Sequence, residues 1–286
     1  MAYQGFGKFR EALTARSADA SVRRDAQDGG TVTALLCYAL DNGVIDGAVM
    51  TKRGDSWMPA QHVATTKKEI IDSAGSIYAL SPSLFQLKEA VRERALDRVA
   101  YVGLPCQIEA LRKMQLYPFG ARGVGERIAL VIGIFCYENF PPEGMRAVVE
   151  GLCDIPLKDV EKMRIAMGKF KVEDSKICEV PLKKASQYIQ EGDLVCPDLV
   201  AEYADISVGS VGSEEGWNTV FIRTSKGMEF FNKAREAGVI ETKDIETVKP
   251  GLKVLEKLAL DKKDRAKKNI EKRKKLGLFV TRNLYY

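Results

Sequence analysis

Histidine is almost absent from this chain, since His62 is the only one among 286 residues. This scarcity argues against zinc sites built on histidine and against Cys–His or Ser–His catalysis. Long apolar runs are lacking too, because none approaches the roughly 20 residues that a membrane-spanning helix needs. The N-terminal residues show neither the basic nor the apolar region of a secretory signal, so we expect a cytoplasmic protein with no membrane span.

No Cys-x-x-Cys pair occurs anywhere, although the chain has six cysteines. Because the cytosol keeps thiols reduced, we expect no disulfides. The cysteines are then core thiols, nucleophiles or metal ligands.

The charge is unevenly distributed in a chain of otherwise ordinary globular composition, 45% hydrophobic and 29% charged. The net charge is +5, yet residues 253–275 alone contain eleven Lys or Arg and four Asp or Glu, a balance of +7 that leaves −2 for the rest. This segment predicts one long basic helix. Its charged face is either solvated or a docking surface for a partner or an anionic ligand. Aromatic residues are not interleaved with the basic ones, which argues against nucleic acid. Tyr285 and Tyr286 at the C-terminus are candidates for docking on a neighbour.

Two apolar, β-branched runs of strand length each stop at a cysteine. Residues 98–104 lead to Cys106 and residues 129–135 lead to Cys136, with a helical segment between them. Strand, helix and strand in this order predict a parallel βαβ unit. Sites form at the carboxyl ends of parallel strands, so both thiols are expected in one crevice.

The remaining periodicities complete a prediction of the α/β class with added α+β elements. We expect a mixed sheet with the parallel βαβ core, helices on its faces, and the C-terminal basic helix. Antiparallel strands are predicted around Gly168, and a short amphipathic helix is predicted over Phe9–Ala15.

A third cysteine, Cys196, lies in a predicted loop and precedes a proline. Asp193 stands three residues earlier, at the spacing of a Cys-x-x-Cys pair with a carboxylate in the first place. A carboxylate can ligate iron, although it is a harder ligand than a thiolate. The alternative is a loop aspartate that stabilises a turn, and spacing alone does not favour a cluster. Cys37 and Cys178 are interpreted as structural, whereas Cys153 is ambiguous.

Three small-residue loops are candidates for binding phosphate. Residues 27–31 lead into a predicted helix N-terminus, residues 74–82 lead into another, and residues 209–213 follow a strand. None matches a Walker A motif or a Gly-x-Gly-x-x-Gly fingerprint, and each alone is as consistent with a plain turn. Together they suggest a ligand of nucleotide size.

Several short motifs follow one another along the chain: Arg16-Ser17, Gln27-Asp28-Gly29-Gly30, Ala74-Gly75-Ser76-x-Tyr78, Gly103-Leu104-Pro105-Cys106-Gln107, Cys136-x-x-Asn139 and Gly209-Ser210-Val211-Gly212. In these motifs and their order the chain resembles the F-420 hydrogenase/dehydrogenase beta-subunit family. The resemblance covers nearly the whole chain.

The resemblance implies FAD, one 4Fe–4S cluster and the deazaflavin coenzyme F-420 as substrate. Its implied cluster ligands are Cys106, Cys136, Asp193 and Cys196. Many members have Cys-x-x-Cys where this chain has Asp193 and Cys196. This departure leaves the fourth ligand open, and Cys153 is the alternative to Asp193. The implied FAD-binding residues are Gln27, Asp28, Gly29, Gly30, Thr31, Ser76, Tyr78, Ser81, Asn139, Gly209, Ser210, Gly212 and Ser213.

The activity that the resemblance implies is electron transfer in a hydrogenase complex, from the cluster through FAD to F-420, with no acid or base from the protein. Residues 1–250 would form the cofactor-binding domain and residues 251–286 a basic helical extension that packs on this domain or on a partner. The paired Cys-x-x-Cys motifs of a nickel–iron centre are absent, so the implied partners are a large nickel–iron subunit and a small iron–sulfur subunit. Alternatives are the equivalent subunit of a formate or F-420 dehydrogenase, or a basic module that binds nucleic acid or a partner and has inert thiols.

Overall fold

The computed structural model describes residues 3–117 and 122–280, and within them the strands form two sheets. The larger is an eight-stranded mixed sheet in the order β11-β1-β10-β9-β5-β4-β2-β3, and the smaller is antiparallel in the order β6-β7-β8. The strands are β1 (Glu11–Ser17), β2 (Gly47–Arg53), β3 (Pro59–Ala64), β4 (Val99–Gly103), β5 (Ile128–Ile134), β6 (Lys162–Ala166), β7 (Lys169–Glu173), β8 (Ile177–Pro181), β9 (Ile206–Gly209), β10 (Asn218–Ile222) and β11 (Ile240–Asp244).

Helices cover both faces of the larger sheet. They are α1 (Ala20–Asp25), α2 (Thr31–Asp41), α3 (Lys67–Ile71), α4 (Phe85–Lys88), α5 (Pro105–Leu116), α6 (Arg122–Gly125), α7 (Pro142–Arg146), α8 (Leu182–Ala185), α9 (Ser225–Glu236) and α10 (Leu252–Lys275). Two of them continue as π-helical turns, α4 over Glu89–Glu93 and α7 over Ala147–Leu152.

The centre of the larger sheet is parallel and its flanks are antiparallel. Strands β2, β4, β5 and β9 run parallel, with Val102 opposite Ile132 and Ile132 opposite Ile206. The order β4, α5, β5 is the predicted βαβ unit, and β10, β1, β11 and β3 add antiparallel pairings. The predicted fold class is confirmed.

The helix predicted over Phe9–Ala15 is wrong, because β1 occupies most of this stretch. β1 lies between β10 and β11, with Leu13 opposite Val220 on one side and Asp244 on the other. Burial on both sides of a central strand explains the short, mainly apolar pattern, which periodicity alone does not distinguish from a helix.

The C-terminal basic helix α10 packs on the body through one apolar stripe. Leu252, Leu255 and Ala259 are buried in a cluster that includes Phe6 and Phe221. Its basic residues are therefore not all on a solvated face. Tyr285 and Tyr286 lie outside the described residues.

The expectation that all six cysteines are reduced is wrong for Cys153 and Cys178, which form a disulfide. Cys153 follows the π-helical turn that packs on the smaller sheet, and Cys178 lies on β8 of that sheet. Packing brings their Cα atoms to 5.8 Å, within the range that a disulfide bridges. The prediction of no disulfides used only the redox state of the cytosol, which does not depend on how close two cysteines lie in the fold.

No helix in the described ranges combines the length and apolarity that crossing a membrane would require.

Candidate functional site

Cys106 lies in the first turn of α5, directly after the carboxyl end of β4. Gln107 fixes this turn from both sides: its Oε1 accepts the N–H of Leu104 at 2.8 Å, and its Nε2 donates to the carbonyl of Ser81 at 2.6 Å. Pro105 occupies a helical position where its missing N–H costs nothing. The Gly-Leu-Pro-Cys-Gln motif is thus a helix start with its own side-chain cap.

Cys136 lies two residues beyond β5 and is only 8% exposed. Its N–H donates to the carbonyl of Leu199 at 2.8 Å. Because β4 and β5 are parallel neighbours, Cys106 and Cys136 follow strand ends at the same edge of the sheet.

Asp193 and Cys196 come from a different segment, the 3₁₀ turn Glu191–Val195. The N–H of Cys196 donates to the carbonyl of Asp193 at 3.3 Å, so the two side chains leave the same turn. The carboxylate of Asp193 is 8% exposed, and its Oδ2 accepts the N–H of Asn139 at 2.6 Å. This bond fastens the turn to the segment that follows Cys136.

The four predicted cluster ligands influence one another's ionisation, which shows that they share one region. Cys106 is exposed as a residue, but loss of hydration around its sulfur raises the pKa of the thiol, and the charges of Cys196 and Asp193 add to the rise. Burial likewise raises the pKa of Cys136, Cys196 and Asp193. A bound cation would reverse this preference for the neutral forms.

A buried lysine, Lys262 of α10, completes this region. It is 0% exposed, and its Nζ donates to the carbonyl of Cys136 at 2.5 Å. The sequence reasoning missed it by treating it as part of a basic face. The signal was available: Leu255, Ala259, Lys262 and Ala266 form one stripe at helical spacing, with one charge in an apolar row.

The described residues contain no group of three or more His, Cys, Asp or Glu arranged to hold a single metal ion. In an iron–sulfur cluster each ligand binds a different iron, so the ligands surround a larger volume. The predicted ligands are three cysteines with free thiols and one carboxylate, and they come from three segments of the chain. The alternative ligand Cys153 has no free thiol, because it is bonded to Cys178.

The predicted phosphate loops at residues 27–31 and 209–213 lie together, joined by a hydrogen bond from Ser210 to the carboxylate of Asp28. Thr31 caps nothing with its side chain: its Oγ1 donates to Asn218 Oδ1 at 2.9 Å and lies 3.0 Å from the carbonyl of Ala15. Gly29 is needed here, because a Cβ would lie 2.7 Å from Asn218 Oδ1.

Some of the polar groups in the glycine-rich loop after β9 form hydrogen bonds with other residues of the protein. The hydroxyl of Ser213 is hydrogen-bonded at 2.8 Å to both Thr14 and Thr219. Gly209 lies against the ring of Phe135, and Gly212 has a φ of +101°. Ser213 therefore supports the loop, whereas Ser210 lies at its exposed side.

Gln27 and Tyr78 connect the larger sheet with β6 of the smaller one. Gln27 Nε2 donates to the carbonyl of Met163 at 3.1 Å, and Tyr78 Oη accepts the N–H of Ile165 at 3.3 Å. Burial raises the pKa of Tyr78 to about 12, and the charges of Asp28 and Cys136 both contribute. The phenol thus stands between the phosphate loops and the cysteines.

Two of the predicted cofactor-binding residues carry buried polar atoms with no hydrogen-bond partner in the part of the chain that the structure describes: Ser81 Oγ and Asn139 Oδ1. Buried polar atoms are nearly always paired, so both point to a missing polar neighbour such as a ligand atom. Ser76 is half-buried and lies five residues before Ser81. Both orphaned atoms belong to segments already tied to the cysteines, through Gln107 and Asp193.

Comparisons with known proteins agree across the whole chain. Residues 12–88 match the family described as “Coenzyme F420 hydrogenase/dehydrogenase, beta subunit N-term”, and residues 96–248 match the family that describes the C terminus of the same beta subunit. The “Coenzyme F420 hydrogenase subunit beta” of Methanosarcina barkeri (strain Fusaro) is 46% identical over 95% of this chain and 94% of its own. That of Methanococcus voltae is 47% identical over 96% of this chain and 99% of its own.

A solved structure is equally similar. A chain of the xenon-derivatised F420-reducing NiFe hydrogenase complex from Methanosarcina barkeri superposes with a TM-score of 0.95 at 44% identity, and all of both chains is covered. With two profile matches that span most of the sequence and relatives above 45% identity, this chain belongs to the F-420 hydrogenase/dehydrogenase beta-subunit family.

Proposed function

We propose that this chain is the electron-transfer subunit of an F-420-reducing hydrogenase, with one 4Fe–4S cluster and FAD as cofactors and coenzyme F-420 as substrate. One observation carries the proposal: strand pairing and hydrogen bonds bring the segments of Cys106, Cys136 and Asp193–Cys196 together, next to two loops suited to a dinucleotide. The same oxidoreductase complex gives the relatives their names.

For the cluster, the proposed ligands are the three thiolates and the carboxylate of Asp193. Oδ2 of Asp193 accepts the N–H of Asn139, so Oδ1 is the proposed ligand atom. Because thiolates, not thiols, bind iron, the raised pKa values of the cysteines mean that proton release accompanies loading.

For FAD, the proposed contacts are the loops of residues 27–31 and 209–213, with Ser76, Tyr78, Ser81 and Asn139 nearer the cysteines. The N-terminus of α2 directly follows the loop of residues 27–31, and its N-cap residue Gly30 provides no side-chain cap, which suits phosphate binding. The orphaned atoms Ser81 Oγ and Asn139 Oδ1 would gain partners. Tyr78 is placed to contact both regions.

An iron–sulfur cluster exchanges single electrons, whereas a flavin exchanges one or two. Together they would convert single electrons into the hydride that a deazaflavin accepts. The residues of this chain bind and orient these groups, and the buried segments around Cys136 exclude water. No side chain is assigned as an acid or base.

The proposed partners are a large nickel–iron subunit and a small iron–sulfur subunit, and the proposed location is the cytoplasm. We further propose that residues 1–250 form the cofactor-binding domain and that residues 251–286 form a helical extension. A second candidate within the family is the same role in a formate or F-420 dehydrogenase complex, since the family description includes dehydrogenases. Binding of nucleic acid by α10 has less support, because Lys262, Lys263 and Arg265 are directed at the body of the protein.

The test is the absorption spectrum and iron content of protein purified without oxygen. The proposal expects a flavin band and a broad iron–sulfur shoulder, both bleached by F-420H2. A colourless, iron-free protein would contradict it. The subunits that co-purify from the native source distinguish a hydrogenase from a dehydrogenase complex.

A further inference from the structure

We propose that Lys262 is a positioning residue of the cluster site, a fixed buried cation that holds the Cys136 segment in place and offsets the negative charge of the cluster. This inference rests on the proposed function, because it assumes that the three thiolates and Asp193 bind iron and sulfide. No role for a lysine was predicted from the sequence motifs.

The position of Lys262 in α10 is the first observation. Leu255, Ala259 and Ala266 share its stripe and are buried, so the helix is docked firmly on both sides of the lysine. The side chain is fully buried, and its Nζ donates to the carbonyl of Cys136 at 2.5 Å. A surface lysine that happens to lie over a groove would keep its ammonium group in water.

The second observation is that the neighbouring basic residues of α10 form ion pairs. Lys263 forms an ion pair with Glu202, and Arg265 forms one with Glu138 while also donating to the carbonyl of Tyr137. For Lys262, by contrast, the hydrogen bond found within residues 3–117 and 122–280 is the one to the carbonyl of Cys136. Buried charges are normally paired, so a buried ammonium group with only a carbonyl as partner is unusual.

The groups that act electrostatically on Lys262 explain what replaces the missing partner. They are Cys196, Cys136 and Asp193, followed by Asp198. Three of these four are the proposed cluster ligands. When the ligands are ionised and hold a cluster, the site is anionic as a whole, and Lys262 is the buried cation beside it.

The consequence for electron transfer follows from charge. Reduction adds one negative charge to the cluster, and a nearby fixed cation stabilises the reduced state more than the oxidised state. Surrounding charge and hydrogen bonds are among the factors that set the potentials of iron–sulfur clusters. Lys262 therefore raises the reduction potential and makes the cluster a better electron acceptor from the partner subunits.

The decisive variants differ in what they remove. Lys262→Gln keeps a hydrogen-bond donor for the Cys136 carbonyl but removes the charge, Lys262→Met removes both, and Lys268→Met removes an exposed charge from the same helix as the control. In the holoprotein, the midpoint potential of this chain's cluster is measured by a redox titration followed by electron paramagnetic resonance. We expect the Lys262→Gln potential to be more negative than wild type and the Lys268→Met potential to be unchanged. A Lys262→Gln potential equal to that of Lys268→Met, with full iron content, would overturn the proposal.

A second measurement separates charge compensation from ordinary packing. Without the cluster, Lys262→Met loses the hydrogen bond to the Cys136 carbonyl but also removes a buried charge that has no cluster to offset. These effects oppose each other, so apo Lys262→Met is expected to melt at a temperature close to that of apo wild type. With the cluster, the same variant is expected to melt lower and to lose iron faster. A residue that only fills space would destabilise both forms, and an apo Lys262→Met that melts well below apo wild type or fails to fold would contradict the proposal.

The outcomes also separate this inference from the proposed function. If the wild-type protein takes up no iron, the proposed function itself is contradicted. If the wild-type protein holds its cluster and the Lys262 variants behave like wild type, only the role of Lys262 is contradicted.

Discussion

Asn139 donates its backbone N–H to Oδ2 of Asp193 over 2.6 Å, and the carbonyl of the same residue accepts the N–H of Gln190 at 2.9 Å. Two hydrogen bonds thus join the segment after β5 to the 3₁₀ turn that carries Asp193 and Cys196. The segment after a strand end of the parallel sheet and a loop distant in sequence are therefore held together. The orientation of Asp193 is fixed before any ligand binds.

Asp193 is the proposed ligand that departs from the family pattern, and its variants test the site directly. We expect Asp193→Cys to retain the cluster, because a thiolate is a good iron ligand. We expect Asp193→Ala to lose it or to retain it at least about tenfold less tightly, since changes even in the outer shell of a metal site cost about 10- to 100-fold. Iron and sulfide per chain and the visible spectrum provide the measurement. Unchanged iron content in Asp193→Ala would remove Asp193 from the ligand set.

Gln107 joins the start of α5 to the loop of residues 74–82, and two variants separate its hydrogen bonds. Gln107→Leu removes both bonds and is expected to lower the free energy of unfolding by about 1–3 kcal/mol, from a lost cap and a lost hydrogen bond. Gln107→Glu keeps an acceptor for the Leu104 N–H but loses the donor to Ser81, so an intermediate loss is expected. Denaturant unfolding of the apo protein measures both. Equal stability of Gln107→Leu and wild type would show that the motif glutamine has no structural part.

Gly29 approaches Asn218 so closely that a methyl group should displace the loop of residues 27–31. In Gly29→Ala the new Cβ would lie 2.7 Å from Asn218 Oδ1 and 3.0 Å from the carbonyl of Ala15. We expect a loss of about 1–3 kcal/mol in stability, as for other overpacked sites, and a lower flavin content. Gly151→Ala is the matched control, because nothing lies within 4 Å of its added Cβ. Full flavin occupancy in Gly29→Ala would place the dinucleotide elsewhere.

The Cys153–Cys178 disulfide is predicted to stabilise the fold and to leave the cluster untouched. It spans 25 residues of sequence, and cross-links of this size contribute about 2–4 kcal/mol. The double variant Cys153→Ser, Cys178→Ser should therefore unfold at lower denaturant concentration than oxidised wild type, with equal iron content. Adding a reductant is the control, since both proteins should then unfold alike. Iron loss in the double variant would return Cys153 to the list of ligands.

The strand ends were predictable because their signals are local. β4 and β5 are apolar runs that stop before a thiol, and α10 has a long regular stripe. β1 was misassigned because a short buried strand and a short buried helix look alike in composition, and only its partners β10 and β11 decide between them. Such pairing spans more than 200 residues and is not visible locally.

The site was less predictable than the fold, for the same reason. The order of the motifs indicated Cys106, Cys136 and Cys196. The hydrogen bond between Asp193 and the N–H of Asn139 and the disulfide of Cys153 depend on tertiary packing, which the motifs do not show. Lys262 could have been found from its place in an apolar row. Its orientation toward Cys136 required knowledge of where α10 docks.

The position of β1 in the larger sheet has a consequence for biosynthesis. Its neighbours β10 and β11 are made some 200 residues later, and α10 follows them. As the ribosome delivers the chain from its N-terminus, β1 waits with both edges unpaired, open to association with other chains. The segment around Cys136 likewise lacks its lysine until α10 emerges. The larger sheet and the surroundings of Cys136 are therefore completed only after β10, β11 and α10 have been made, and under the proposed function the cluster would be inserted after that point.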